Sequence, residues 1–80
     1  SLEYRGHASG EDTAVWRGDP DSLQFSVFYL RGDVVEGVLS MNDGKINELG
    51  GKLIESRRKL DPSALSNPGV DLSELVPASA

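Results

Sequence analysis

An α+β fold is predicted for this chain: a small antiparallel sheet of about four strands in a meander, one amphipathic helix packed on it, and a short helical segment at the C-terminus. Two observations carry that prediction. Apolar residues recur with a period of two between Leu2 and Met41, and from Asn42-Asp43-Gly44 onward the period lengthens to about 3.6. A third sets the scale, because 80 residues make a single domain, 1–80. A chain this short buries only about 60 to 65% of the surface its unfolded form exposes.

Leu2-Glu3-Tyr4-Arg5 alternates as a first strand. Ala8-Ser9-Gly10-Glu11-Asp12 interrupts the pattern, and Thr13-Ala14-Val15-Trp16-Arg17 resumes it with strand-favouring residues. After the turn cluster Gly18-Asp19-Pro20-Asp21, Leu23, Phe25, Val27 and Tyr29 fall on one face and Gln24, Ser26, Phe28 and Leu30 on the other. A strand apolar on both faces belongs at the centre of the sheet, or is covered on its second face by another domain. Arg31-Gly32-Asp33 closes a hairpin into a fourth strand from Val34 to Met41, with Val35, Gly37, Leu39 and Met41 on one side.

In the helix that follows, Ile46, Leu49, Leu53, Ile54 and Leu60 form one stripe, and Asn47, Glu48, Glu55 and Arg58 lie opposite. Asn42 or Asp43 caps its first turn, and Arg57-Arg58-Lys59 sit at its negative end, where cations complement the macrodipole. Gly50-Gly51 costs roughly 1 kcal/mol per glycine relative to alanine, which implies a close approach of helix backbone to sheet. Asp61-Pro62 then opens a short turn that Asn67-Pro68-Gly69 stops. Asp71-Leu72-Ser73-Glu74 resembles a capping box on one further turn, and Ala78-Ser79-Ala80 reads as a frayed tail.

Composition narrows the function. The chain has no cysteine, so disulfides, thiolate metal sites and thiol redox chemistry are excluded. A net charge of −5 disfavours nucleic acid, whose phosphates need clustered Lys and Arg. No apolar run approaches the roughly 20 residues of a membrane span, and no secretory leader is recognisable, so the chain reads as soluble and cytoplasmic. It lacks an initiator Met and starts at once on a strand, as expected of a fragment of something longer.

Motifs for catalysis are missing. No Gly-x-Gly-x-x-Gly or Walker loop is present, so no FAD or NAD(P)H site is expected in this chain itself. His7 is the lone histidine and reads as solvated, with no catalytic residue and no metal site assigned. Glu11, Asp12, Asp19, Asp21 and Asp33 lie in predicted turns, where carboxylates cap amides. Arg-Gly-Asp occurs at 17–19 and 31–33, in both cases at a strand end where glycine and aspartate serve the turn. Trp16 is expected to be partly buried.

Val15-Trp16-Arg17-Gly18-Asp19-Pro20, Phe25-Ser26-Val27-Phe28-Tyr29-Leu30-Arg31, Ser40-Met41-Asn42, Leu53-Ile54 and Leu60-Asp61-Pro62 form an ordered set. In order and spacing it resembles the C-terminal domain of the FAD-dependent ferredoxin reductases, the family of putidaredoxin, rubredoxin and dioxygenase ferredoxin reductases. The resemblance runs from Leu2 to Val76. It departs from the family in two places: the aromatic Trp-Ser-(Asp or Asn)-Gln-Tyr segment near the flavin is absent, and the usual Arg-Arg-Leu-Ile appears as Gly51-Lys52-Leu53-Ile54. No flavin contact is therefore assigned.

The resemblance implies a parent flavoprotein that passes electrons from NAD(P)H through FAD to a ferredoxin or rubredoxin. This domain would pack on the FAD- and NAD-binding domains and shape the acceptor's docking surface. Lys45, Lys52, Arg57, Arg58 and Lys59 are the candidate docking residues, because small electron-transfer ferredoxins are acidic. The alternative is a stand-alone or appended interaction module without enzymatic role, forming a homodimer through a sheet face.

Overall fold

The computed structural model describes residues 1–78, so Ser79 and Ala80 of the expected frayed tail lie outside the described residues. Four strands form one antiparallel sheet: β1 (Leu2–Gly6), β2 (Thr13–Asp19), β3 (Gln24–Arg31) and β4 (Val34–Met41). Helix α1 (Gly44–Ser56) follows β4, and the short helix α2 (Pro62–Ser66) and a 3-10 turn at Leu72–Glu74 complete the chain. The α+β prediction holds. Within the sheet, β2, β3 and β4 form the meander, while β1 pairs with β4 at the far edge instead of with β2, giving the order β1-β4-β3-β2. The 7–12 connection therefore crosses one end of the sheet, as in a Greek key.

Two turns fix the register. Gly32 and Asp33 both have positive φ, 56° and 64°, the two-residue hairpin geometry whose twist matches that of the flanking strands. Between β2 and β3, Asp19 accepts from the Asp21 amide and caps a turn at Pro20–Ser22. Leu23 ends that turn in the left-handed conformation and is 66% exposed, so it does not join the Phe25, Val27, Tyr29 face.

A β-bulge corrects the reading of β4. Tyr29 pairs with Gly37 but Leu30 pairs with Val35, so Glu36 is the extra residue. Parity flips there. Val35 turns inward with Val38, and only Gly37, Leu39 and Met41 stay on the opposite face. The core is built from Phe28, Leu30, Val35 and Val38 of the sheet with Leu53, Leu65 and Leu72 of the helical layer. Burying each of these large side chains stabilises the fold by about 1.5 to 3 kcal/mol.

Helix α1 starts where its cap signal places it, with Asp43 accepting from the Ile46 amide. At Gly50 its backbone comes so close to the sheet that an added Cβ would stand 2.7 Å from Val38 Cγ1. Gly51 faces the Arg5 side chain instead. The helix ends four residues earlier than the apolar stripe implies. Arg57 takes the left-handed position (φ 54°) that stops it, and Leu60 donates its amide to the Asp33 carbonyl at 2.8 Å. Arg57, Arg58 and Lys59 are thus outside the last helical turn. Asn47, expected on the solvent side, is 1% exposed and accepts from Arg5 Nε.

One cation fastens the C-terminal segment. The Arg17 guanidinium donates to the carbonyls of Leu65 (3.1 Å), Asn67 (2.9 Å) and Val70 (2.5 Å). Burial draws its pKa down, Asp43 and Asp71 oppose that, and it stays cationic. Each of the turns that follow is capped by an aspartate: Asp61 accepts from the Ser63 amide, and Asp71 from the Ser73 amide and hydroxyl.

Gly50→Ala should destabilise the domain by about 1 to 3 kcal/mol, because the β-branched Val38 cannot move away. In denaturant titration Gly51→Ala should be neutral or stabilising by up to about 1 kcal/mol, since the Arg5 stem can shift. An Arg17→Lys change leaves carbonyls that a single ammonium cannot serve, and should lower local stability at residues 67–75 by roughly 1 to 2 kcal/mol in amide exchange. Hydrogen bonds from Ser63 and Ser73 hold the Asp61 and Asp71 carboxyls below the ordinary range. Their stabilisation is present above the unfolded aspartate pKa of about 4 and is lost as pH falls through the depressed folded values. Amide resonances of 70–75 should therefore shift below about pH 4, and Asp71→Ala should remove most of that transition.

Candidate functional site

The five basic residues singled out in the sequence do not form one patch. Lys45, in the first turn of α1, lies near the Asp71 carboxylate and helps to depress its pKa. It is about 18 Å along the helix axis from Arg57, at 1.5 Å per residue. Lys52 is half-buried on α1. Arg57, Arg58 and Lys59 are consecutive and exposed. They remain together at the corner of the sheet where α1 ends.

The local chain path explains that corner. After Arg57 the backbone extends, and Lys59 bridges Val34 antiparallel, at the end of β4 that β1 does not reach. The Leu60 amide bond to Asp33 holds this segment against the β3–β4 hairpin. His7 sits alongside, with its amide bonded to the Glu36 carbonyl at 2.9 Å. Gly6, His7, Val34, Glu36, Ile54 and Arg57 line an open cleft of about 440 Å³.

Charge at this corner is not evenly balanced. Arg31, at the end of β3, is neutralised by Asp12 (3.2 Å), Glu11 (3.6 Å) and Glu36 (3.6 Å), which pins the 7–12 connection to the hairpin. Among the described residues these are the ion pairs that form, and none involves Arg57, Arg58 or Lys59. Exposed cations of this kind add little to stability and remain free to act on a partner's field. Arg31 is close to the cleft but escaped sequence reasoning, since nothing in a period-two pattern marks which acids will surround a strand end.

Both Arg-Gly-Asp copies are spent on structure. Arg17 serves the carbonyls above and Asp19 caps its turn, while Arg31 is held by three acids and Asp33 forms the hairpin. No group of three or more His, Asp or Glu able to hold a metal ion occurs among the described residues.

FAD and NAD(P)H, which the resemblance implies for a parent protein, are not fitted by the residues present. A dinucleotide needs a glycine-rich strand-to-helix turn with free helix amides for the pyrophosphate. Here the N-terminus of α1 is closed by the Asp43 carboxylate, which would repel a phosphate. Among the described residues, the side-chain polar atoms buried without a partner, Ser40 Oγ and Asn47 Nδ2, lie between α1 and the sheet and do not open on a ligand surface.

Known proteins match this domain along nearly its whole length. The Reductase C-terminal family matches residues 1–76. Putidaredoxin reductase CamA of Pseudomonas putida is 32% identical over 78 residues, 98% of this chain and 18% of its own length. Human apoptosis-inducing factor 3 is 37% identical over 60 residues, 75% of this chain and 10% of its own length. In the crystal structure of the covalent putidaredoxin reductase–putidaredoxin complex, a chain 32% identical to this one superposes with a TM-score of 0.85 over 92% of this chain and 18% of its own length. The ferredoxin reductase for the CYP199A2 system from Rhodopseudomonas palustris, at 24% identity, shares the fold with a TM-score of 0.84 over 95% of this chain and 19% of its own. The chain thus spans less than a fifth of the relatives it matches. With its sheet, its helix and its sequence all in register with theirs, it belongs to the Reductase C-terminal family and is the C-terminal domain of a putidaredoxin-reductase-like protein.

Proposed function

We propose that this domain completes a cytoplasmic FAD-dependent reductase that carries electrons from NAD(P)H to a ferredoxin or rubredoxin. Hydride transfer and flavin chemistry belong to the parent's other domains, and this one packs on them and offers part of the acceptor's docking surface. The observation that carries the reading is the likeness, over 98% of the chain, to putidaredoxin reductase. The covalent putidaredoxin reductase–putidaredoxin complex superposes at a TM-score of 0.85.

Within the domain, Arg57, Arg58 and Lys59 supply the docking charge. They are exposed, contiguous and without ion pairs, on a chain whose net charge is −5. A local positive corner on an acidic body gives an acidic redox partner a direction as well as an attraction. Weak redox encounters work this way, through charge-complementary surfaces that act on the rate of approach more than on affinity. Lys52 is half-buried within α1, and Lys45 lies at the opposite end of that helix, near Asp71.

Replacing Arg57 and Arg58 by glutamate in the full-length reductase should slow reduction of its ferredoxin severalfold at low salt. The difference should narrow as ionic strength rises, because the Debye length is only about 10 Å at 0.1 M. Reduction of a small neutral acceptor should be unchanged in the same protein. Equal rates for wild type and variant with the ferredoxin at every ionic strength would remove this corner from the docking surface.

A further inference from the structure

The sheet has two faces, and the helical layer covers only one. On the other, the register aligns Leu2 with Met41 and Phe25, and Tyr4 with Leu39, Val27 and Trp16. The row beyond brings Tyr29 and Ala14 beside Gly37. No charged side chain interrupts these rows. Trp16 and Phe25 stack at 5.5 Å, and Tyr4 and Tyr29 meet at 6.4 Å. Gly37 leaves room for the Tyr4 hydroxyl, which accepts from the Ala8 amide at 2.7 Å, so the polar end of that ring is satisfied at the margin of the face. Val27 is 1% exposed beneath its neighbours, but Leu2, Tyr4 and Trp16 stand 57, 49 and 50% exposed.

A surface four strands wide at about 4.8 Å each, and about five residues long at about 3.3 Å each, spans roughly 300 Å² in projection. Contiguous apolar patches of a few hundred Å² mark interaction sites. We infer that this aromatic face is covered by the polypeptide that precedes Ser1 in the parent reductase. The inference rests on the part of the proposed function that makes the chain the C-terminal domain of a longer protein, and not on its electron-transfer chemistry.

Area and chain path favour that occupant over a second copy. A stable complex between separate molecules buries about 800 Å² per partner, more than this face presents. Domains of one polypeptide manage with interfaces of about 600 to 1,500 Å² in total, because they are tethered and lose little freedom on docking. Members of the family to which the chain belongs are several times its length. The preceding polypeptide is delivered at Ser1, directly before the β1 strand whose Leu2 and Tyr4 lie in the face. The basic corner at Arg57–Lys59 lies at the end of α1 beside Val34, beyond the rows of the aromatic face, so covering those rows leaves it open to an acceptor.

Hydroxyl-radical footprinting of the full-length protein, native against urea-unfolded, tests the inference at Tyr4, Trp16 and Met41. If the face is covered, Tyr4 and Trp16 should be protected roughly tenfold, as in a packed interface core. Half-exposed as in the isolated domain, they would be protected only about twofold. Exposed Leu23 serves as the internal control and should stay reactive. Twofold protection at Tyr4 and Trp16 would overturn the inference. So would strong protection that disappears on dilution together with a dimer in sedimentation, which would assign the face to a second copy. Flavin content and ferredoxin reduction, measured on the same preparation, separate the two proposals. A covered face in a protein that holds no flavin would end the reductase reading and leave this inference standing, and an active flavoprotein with an open face would do the reverse.

Discussion

The contact between Gly50 and Val38 sets the distance at which everything else is packed. With no side chain on the helix at that point, the α1 backbone lies close against β4, and Leu53 reaches the Phe28 and Val35 layer. The same closeness brings the end of α1, which Arg57 stops, against the sheet. Its last turn arrives at the β3–β4 hairpin, so that the Leu60 amide meets the Asp33 carbonyl and Lys59 bridges Val34. A helix held further out would lose these two links, and the basic triplet would have no fixed position.

How much could be read in advance depended on whether the information was local. Side-chain parity is a property of each strand alone, so Phe28 and Leu30 were assignable to one face and Val27 and Tyr29 to the other. Pairing is not local: the alternation of Leu2-Glu3-Tyr4-Arg5 is the same whether β1 lies beside β2 or β4. The bulge at Glu36 was invisible for a similar reason, because Val34 and Val35 are both apolar and either parity suits them. Caps at Asp43 and Asp61 and the closeness implied by Gly50-Gly51 were legible because each involves neighbouring backbone or a missing Cβ.

The candidate site was legible only in its charges. Arg57-Arg58-Lys59 suited a helix C-terminus, and Leu60 continued the apolar stripe, so the pattern favoured a longer helix. Arg57 stops α1 in a conformation for which glycine is the usual sign. Asn47 was placed outside on polarity, whereas the partner that lets it be buried, Arg5, comes from the first strand. Partners far apart in sequence decide both cases, and no period reports them.

The placement of β1 governs the sequence of events as the chain is made. Within the domain it is the first of the four strands to be made, yet its neighbour in the sheet among the described residues, β4, follows after two hairpins. The meander can zip through short-range contacts while β1 waits, unpaired. Long-range pairings of this kind are the slow ones, since loop closure comes before any reward in contacts. The strand that opens the domain is consequently among the last to be secured, and the edge of the sheet that it forms closes only after the rest of the sheet has taken shape.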